Sequence, residues 1–293
     1  MMRGMYAAIS GLEAHQTMLD VTANNLANVD TIGYKAQRTT FVDELTQNLS
    51  AATGPNGFNG GSNAKKVGLG VEVGSIDNLM GTGSQQTTGN ALDIDIQGDG
   101  FFQVGNGNPG STAPYTNNLP STVNYTRAGN LTLNSAGFLT TQSGEYVVGS
   151  TAVSSSSSAA PTYINVPPGS TNLAVGQDGS VTYTDENSTS PTFGQTVTAG
   201  YITLATFPNE AGLQRDGGSL WSATASSGAA NPAQTPGLNG VGQTISGSLE
   251  MSNVDLASEF TNMITAERGY QANSKVITTA DTMLQTVVNM VQG

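Results

Sequence analysis

Apolar residues recur every seventh position at both ends of the chain. From the N-terminus, Met5, Leu12, Leu19 and Leu26 form one series, and Met2, Ile9, Gln16 and Ala23 a companion set by alternating steps of three and four. This a/d seam predicts a coiled-coil helix of about four heptads, with Gln16 its one polar seam position. Asn28, Asp30 and Gly33, in "NVDTIGYK", supply the turn chemistry that stops it. At the other end the series is Leu256, Met263, Tyr270, Ile277, Leu284 and Val291, beside Ala266, Asn273, Ala280 and Val287. Ser252, Asn253 and Asp255 offer N-caps just before it. Small seam residues admit close helix approach, and a polar Asn273 would fix register at some cost in stability.

Between these ends the period changes to two. "VGLGVEVGS" sets Val67, Leu69, Val71 and Val73 on one face, and "ALDIDIQGDGFFQV" does the same with Leu92, Ile94 and Ile96. Both read as strands with one buried face, the aspartates of the second being solvated. Asp99-Gly100, Gly129-Asn130 and Asp178-Gly179 punctuate the rest as turns. "YINVPPGSTNLAVGQDGSVTYT" reads as strand, turn, strand, tight turn, strand, and "GYITLATFPN" as a further strand. "AQRTTFVDELTQNLSAATG" reads as a short helix, "GPNGFNGGSNAKK" as loop, and "STAVSSSSSAAP" as a polar low-complexity loop. The expected fold is α+β: a mainly-β central domain flanked by N- and C-terminal coiled-coil helices. The expected boundaries are 1–30 for the first helix, 31–67 for a connector, 68–248 for the β domain and 249–293 for the last helix. Residues 150–200 are the place for a small outer insertion.

Composition narrows the function. Charged residues make up 10% of the chain and the formal net charge is -12, so clustered cations for nucleic-acid phosphates or an anionic membrane are missing. With no cysteine there are no disulfides, zinc-thiolate sites or thiol nucleophiles, which suits work outside a reducing cytosol. The first residues lack the continuous apolar core of a secretory signal.

Each candidate catalytic or ligand motif fails a chemical requirement. Gly105, Gly107 and Gly110 satisfy G-x-G-x-x-G, but Pro109 lies inside it and "STAPYTNNLP" after it cannot form the helix that would bind a pyrophosphate. Asp93, Asp95, Gln97 and Gly98 imitate the start of a calcium loop, yet its twelfth position is Val104 where a bidentate Glu is needed. His15, the single histidine, would have to serve any Ser-His-Asp triad, and it lies in the first helix. Trp221 reads as core, and Glu267 and Arg268 as solvated charges off the seam. No catalytic residue, cofactor, metal ligand or small-molecule substrate is therefore assigned.

What remains is association. A short helix with a one-sided apolar stripe is marginal alone in water. The two end helices can pair as an antiparallel couple, but Tyr6, Phe260, Ile264, Val276, Met283 and Val288 lie off the main seams and remain to be covered. That surplus predicts packing against further copies of the chain. A secreted β-domain enzyme or adhesin with helical tails is the reading of a different class.

Two long motifs add to this. "ANNLANVDTIGYKAQRTTF", from Ala23 to Phe41, and "GSLEMSNVDLASEFTNMITAERGYQANSKVITTADTMLQTVVNM", from Gly247 to Met290, resemble the terminal signatures of the axial proteins of the bacterial flagellum. Asn24, Asn25, Asn28, Thr31, Gly33, Tyr34 and Lys35 carry the first signature. "GNALDIDIQGDGFFQV" and "YTRAGNLTLNSAGFLTTQSGEYVVG" resemble the two blocks of that family's inner β domain. Within the family, "MYAAISGLEAHQTMLDVTANNLANVD", "VGLGVEVGSID" and "GSLEMSNVDLASEF" are most similar to hook members, with distal rod members next. The resemblance implies a helical homopolymer with the end helices as the inner wall of a tube and the connector touching neighbouring subunits. It also implies export through the flagellar type III apparatus. Distal rod, hook cap and hook–filament junction proteins are the implied partners, and the flagellar hook or basal body the implied location.

Overall fold

The computed structural model describes residues 2–55, 60–109, 115, 120, 122–153, 161–186, 192–238 and 240–292. The serine run at 154–160, Gly110 with most of the polar stretch after it, and part of the glycine-rich loop at 56–59 lie outside these. Two compact units divide the chain: residues 1–27, 37–79 and 254–293 form one, and residues 28–36 with 80–253 the other.

In the first unit, α1 (Met2–Ala27) and α2 (Leu256–Gln292) are the two predicted helices. At 1.5 Å per residue they are about 39 and 55 Å long. The first ends as expected, with a turn closed by Thr31 N donating to Asn28 O at 3.1 Å. Asp255 caps the second: its carboxylate accepts from Ala257 N at 3.0 Å, and its carbonyl from Glu259 N. Glu259 then stands in the first turn, where a negative charge meets the positive end of the helix dipole.

The segment expected as a short helix is extended. It forms β1 (Gln37–Asp43) and β2 (Thr46–Ser50), which pair antiparallel with β4 (Val71–Asn78) and β3 (Lys65–Gly68). Glu44 N to Gly70 O and Leu69 N to Leu45 O join the two pairings into one two-stranded ribbon. Phe41, Leu45 and Leu49 fall four apart and mimic a helical stripe. Their partners in the ribbon stand from about fifteen to just over thirty residues further along, so a non-local pairing overrides the local period. The same pairing breaks "VGLGVEVGS" into two strands, and every residue of β2 and β3 is exposed.

In the second unit, β5 (Gln85–Thr87) pairs with β20 (Ser248–Glu250), and β6 (Ile94–Gln97) with β19 (Gln243–Ser246). Between them stand β7 (Phe101–Gly105), β8 (Asn124–Thr126), β9 (Thr132–Leu133), β10 (Leu139–Thr140), β11 (Tyr146–Ser150), β12 (Pro161–Tyr163), β13 (Thr171–Val175), β14 (Ser180–Thr184), β15 (Thr196–Ile202), β16 (Leu204–Ala205), β17 (Gln214–Gly217) and β18 (Leu220–Ser222). Among the described residues these twelve make one sheet with a central path β13-β14-β15-β11-β7-β8-β18-β17. Asp178-Gly179 turns β13 into β14, with Asp178 Oδ1 accepting from Ser180 N and Oγ.

β7 is buried on both faces. Phe102 and Val104 join a core with Ile94, Ile96, Val147 and Ile202, whereas Phe101 joins a second with Tyr125, Phe207, Leu213 and Trp221. Trp221 is thus a core residue, as expected. Asp95 departs from the expectation of a solvated carboxylate: it stands within β6, buried along with Ile94 and Ile96. That strand geometry also excludes a calcium loop at this point.

Candidate assembly surface and the signature cluster

Within the first unit the helices run antiparallel in a defined register. A β-carbon at Gly11 would lie 2.7 Å from Asn273 Nδ2, and one at Gly269 2.5 Å from the His15 ring. Asn25 Nδ2 donates to Glu259 Oε1 at 3.3 Å. In all three pairs the two residue numbers total 284. The glycines are therefore close-approach positions, each receiving a side chain of the facing helix. His15 also stands 6.0 Å from the Phe41 ring.

The buried positions of α1 are Ala8, Gly11, Ala14, Thr22 and Asn25, none of them a predicted seam residue. Met5, Leu12, Leu19 and Leu26 are only half-buried, while Ile9 and Ala23 are exposed. The covered face is thus turned from the apolar seam: small residues let α2 come close, the larger ones flank the contact, and the ribbon covers a further part through Ser10 Oγ, which accepts from Val71 N at 3.3 Å, and through Asn25. On α2 several seam positions lie nearer the contact. Ala266 is fully buried, and Met263, Asn273, Ile277, Ala280 and Leu284 are half-buried. Leu256, Tyr270, Val287 and Val291 are exposed.

The result is a helix pair with abundant uncovered apolar surface. Tyr6, Phe260, Ile264, Val276, Met283 and Val288 are all exposed, as the sequence predicted. In this register Met2 lies opposite residue 282, and α2 continues from there to Gln292 with Val291 81% exposed. The ribbon adds to that surface: Leu45, Leu69 and Val67 are exposed, Leu45 at 79%, whereas Val71 and Val73 are half-buried and Phe41 lies beside His15 of α1.

The signature residues divide between the units. In the first, Asn25 and Gln37 exchange two hydrogen bonds: Asn25 Nδ2 to Gln37 O at 2.7 Å, and Gln37 N to Asn25 Oδ1 at 2.9 Å. Gln37 Nε2 goes on to Asn78 Oδ1 at 2.9 Å. Asn24 is exposed. Burial holds the Glu259 carboxyl above its ordinary range, partly offset by the Asn25 hydrogen bond.

In the second unit, Asn28 and Thr31 are half-buried, while Gly33, Tyr34 and Lys35 are buried. Gly33 has φ +67°, and a β-carbon there would meet the backbone of Arg127 and Ala128 at 2.8 Å, so only glycine fits. Lys35 Nζ donates to Glu250 Oε1 at 2.6 Å and to Gly81 O at 2.9 Å, with the two side chains only 1% and 3% exposed. The same Glu250 oxygen accepts from Gly83 N at 2.8 Å, and its other oxygen lies 3.5 Å from Arg127 Nη1. Burial holds the Lys35 ammonium below its ordinary range, against the opposing pull of Glu250. Arg215 is sandwiched between Tyr34 and Trp221, at 4.3 and 4.9 Å from their rings, and donates to Lys35 O at 2.6 Å. Asn253 closes the cluster: its amide oxygen accepts from Ala36 N at 2.7 Å, and its amide nitrogen donates to Gly81 O.

Sequence reasoning singled out Lys35 and Asn25, and Asn253 only as an N-cap, but not Glu250, Arg127 or Gln37. One signal was available for Glu250: a lone acid between Leu249 and Met251 in a stretch of strand character.

Paired end helices with bare apolar flanks, enclosing a β unit in sequence, are the plan of an axial structural protein of the bacterial flagellum. Three family models agree: "Flagella basal body rod protein" over residues 5–35, "Flagellar hook protein FlgE/F/G D1 domain" over 95–183, and "Flagellar basal body rod FlgEFG protein C-terminal" over 245–290. The chain is 40% identical over 290 residues to the flagellar basal-body rod protein FlgG of Bacillus subtilis, covering 99% of both chains. It is 37% identical to FlgG of Caulobacter vibrioides, covering 97% of both. A flagellar hook protein, FlgE of Borreliella burgdorferi, is 28% identical over 441 positions, covering 99% of this chain and all of the other. The chain belongs to the flagellar rod and hook family of FlgE, FlgF and FlgG.

Proposed function

We propose that this chain is a distal rod subunit, which self-associates through the bare flanks of α1 and α2 into a straight tube that carries torque. The supporting observation is length. Rod relatives match it end to end in about as many positions as it has residues, whereas the hook relative needs 441 positions against 293 residues. Of the motifs that favoured the hook in the sequence, the last falls under a family model that spans FlgE, FlgF and FlgG, and the first under one described for rod proteins. The seam residues Met5, Ile9, Leu12, Leu19, Ala23, Leu26, Leu256, Met263, Tyr270, Ile277, Leu284, Val287 and Val291 are the assembly surface in this reading, because part or all of each is uncovered within its own chain. A heterologous contact that does not close generates a helical filament. Neighbouring rod and hook proteins and the flagellar export apparatus are the proposed partners. Electron microscopy of polymer grown from purified protein tests the reading: straight tubes are expected, and curved, supercoiled tubes would return the assignment to the hook.

A further inference from the structure

Residues 28–36 belong to the second unit, although in sequence they are a short excursion between Ala27 and Gln37 of the first. They bond across several distant segments. Gly33 N donates to Glu250 O at 2.8 Å, Ser219 Oγ to Ile32 O at 3.5 Å, and Arg215 to Lys35 O. Closing this piece carries one ammonium, that of Lys35, out of water. Its two acceptors are Glu250 Oε1, 215 residues away in the chain, and Gly81 O.

We propose that residues 28–36 are a strap, and that Lys35 and Glu250 are the lock that lets it close only when strand β20 is in place. Removing one partner of a buried ion pair leaves an uncompensated charge, a far larger penalty than removing the pair. The strap therefore cannot seat Lys35 on a unit that lacks Glu250. Glu250 itself keeps other company without the strap, since Gly83 N and the Arg127 guanidinium both face it. The dependence is one of closure rather than of the whole sheet: β6 and β7 bury their own apolar cores. An early and a late part of the chain thereby order together, and the first signature stays open until the last strand of the unit is present.

The chain carries its own reporter. Trp221 is the single tryptophan, buried, and stacked on Arg215 beneath Tyr34 of the strap. The test uses the full chain and four forms: parent, E250Q, K35M and K35M/E250Q. Hydrogen exchange is read separately for residues 28–36 and for β6 and β7, with Trp221 emission beside it. In the presence of Lys35, E250Q is expected to speed strap exchange about a hundredfold and to shift Trp221 emission to the red, with β6 and β7 unchanged. In the K35M background the same change is expected to act less than about tenfold, because no buried ammonium of the strap is left unpaired, while the loss of Glu250 beside Arg127 is common to both backgrounds and cancels in the comparison. Equal effects of E250Q in both backgrounds would overturn the lock. So would no effect in either, or exchange in β6 and β7 rising in step with the strap.

Discussion

A buried carboxylic acid carries a clear pH signature. Asp95 stands inside β6, and burial, with Glu250 adding in the same direction, holds its carboxyl above the ordinary 3.8. A carboxyl with a raised folded-state pKa holds its proton more tightly folded than unfolded. Its contribution to stability is fully present below 3.8 and is lost as pH rises through the folded value. Asp95→Asn removes that loss. Urea denaturation at pH 7 is expected to give a higher midpoint for the variant than for the parent, with the difference closing below pH 3.8. An unchanged or lower midpoint at pH 7 would show that the Lys35 and Arg127 charges outweigh burial at this site.

At the scale of elements, the helix pair separates two kinds of apolar surface. The α1–α2 contact is made by Gly11, Gly269, Asn273, His15 and their neighbours, whereas the large side chains line its flanks. Heptad reading finds large residues, so it located the helices, their ends and the surplus stripe from sequence. It missed the covered face of α1, because Ala8 and Gly11 give no hydrophobic signal. It also missed β1 and β2, whose identity depends on a partner strand beyond a loop. The Lys35–Glu250 cluster was visible only as two motifs, since nothing local joins residues 215 positions apart. This division makes a sharp prediction. Val288→Asp alters an exposed position on α2, so the denaturant stability of the chain should stay within about 0.5 kcal/mol of the parent. The same change is expected to abolish sedimentable polymer. Polymer forming at the parental concentration would remove this part of α2 from the assembly surface.

For the whole molecule, the chain passes between its two units at four points: 27/28, 36/37, 79/80 and 253/254. The helices and ribbon thus close on themselves with the β unit entered in sequence as an insertion. Each unit gathers the chain near these crossings by its own polar contacts. Asn25, Gln37, Asn78 and Glu259 do so in one, and Lys35, Gly81, Glu250 and Asn253 in the other.

One hairpin of that unit has a practical consequence. β11 and β12 pair directly, Ser150 opposite Pro161 and Val148 opposite Tyr163, so both ends of the stretch between them are already anchored. Lengthening a connection whose ends are fixed costs only about 0.6 kcal/mol per doubling. A twenty-residue epitope grafted between Val153 and Pro161 should leave the thermal midpoint nearly unchanged and still permit tube growth, as antibody labelling along the polymer would reveal. Loss of folding on grafting would mean that this stretch is tied into the sheet. If the labelled polymer grows, the anchored pair of β11 and β12 can carry bulk, or a foreign cargo, without renegotiating how copies stack.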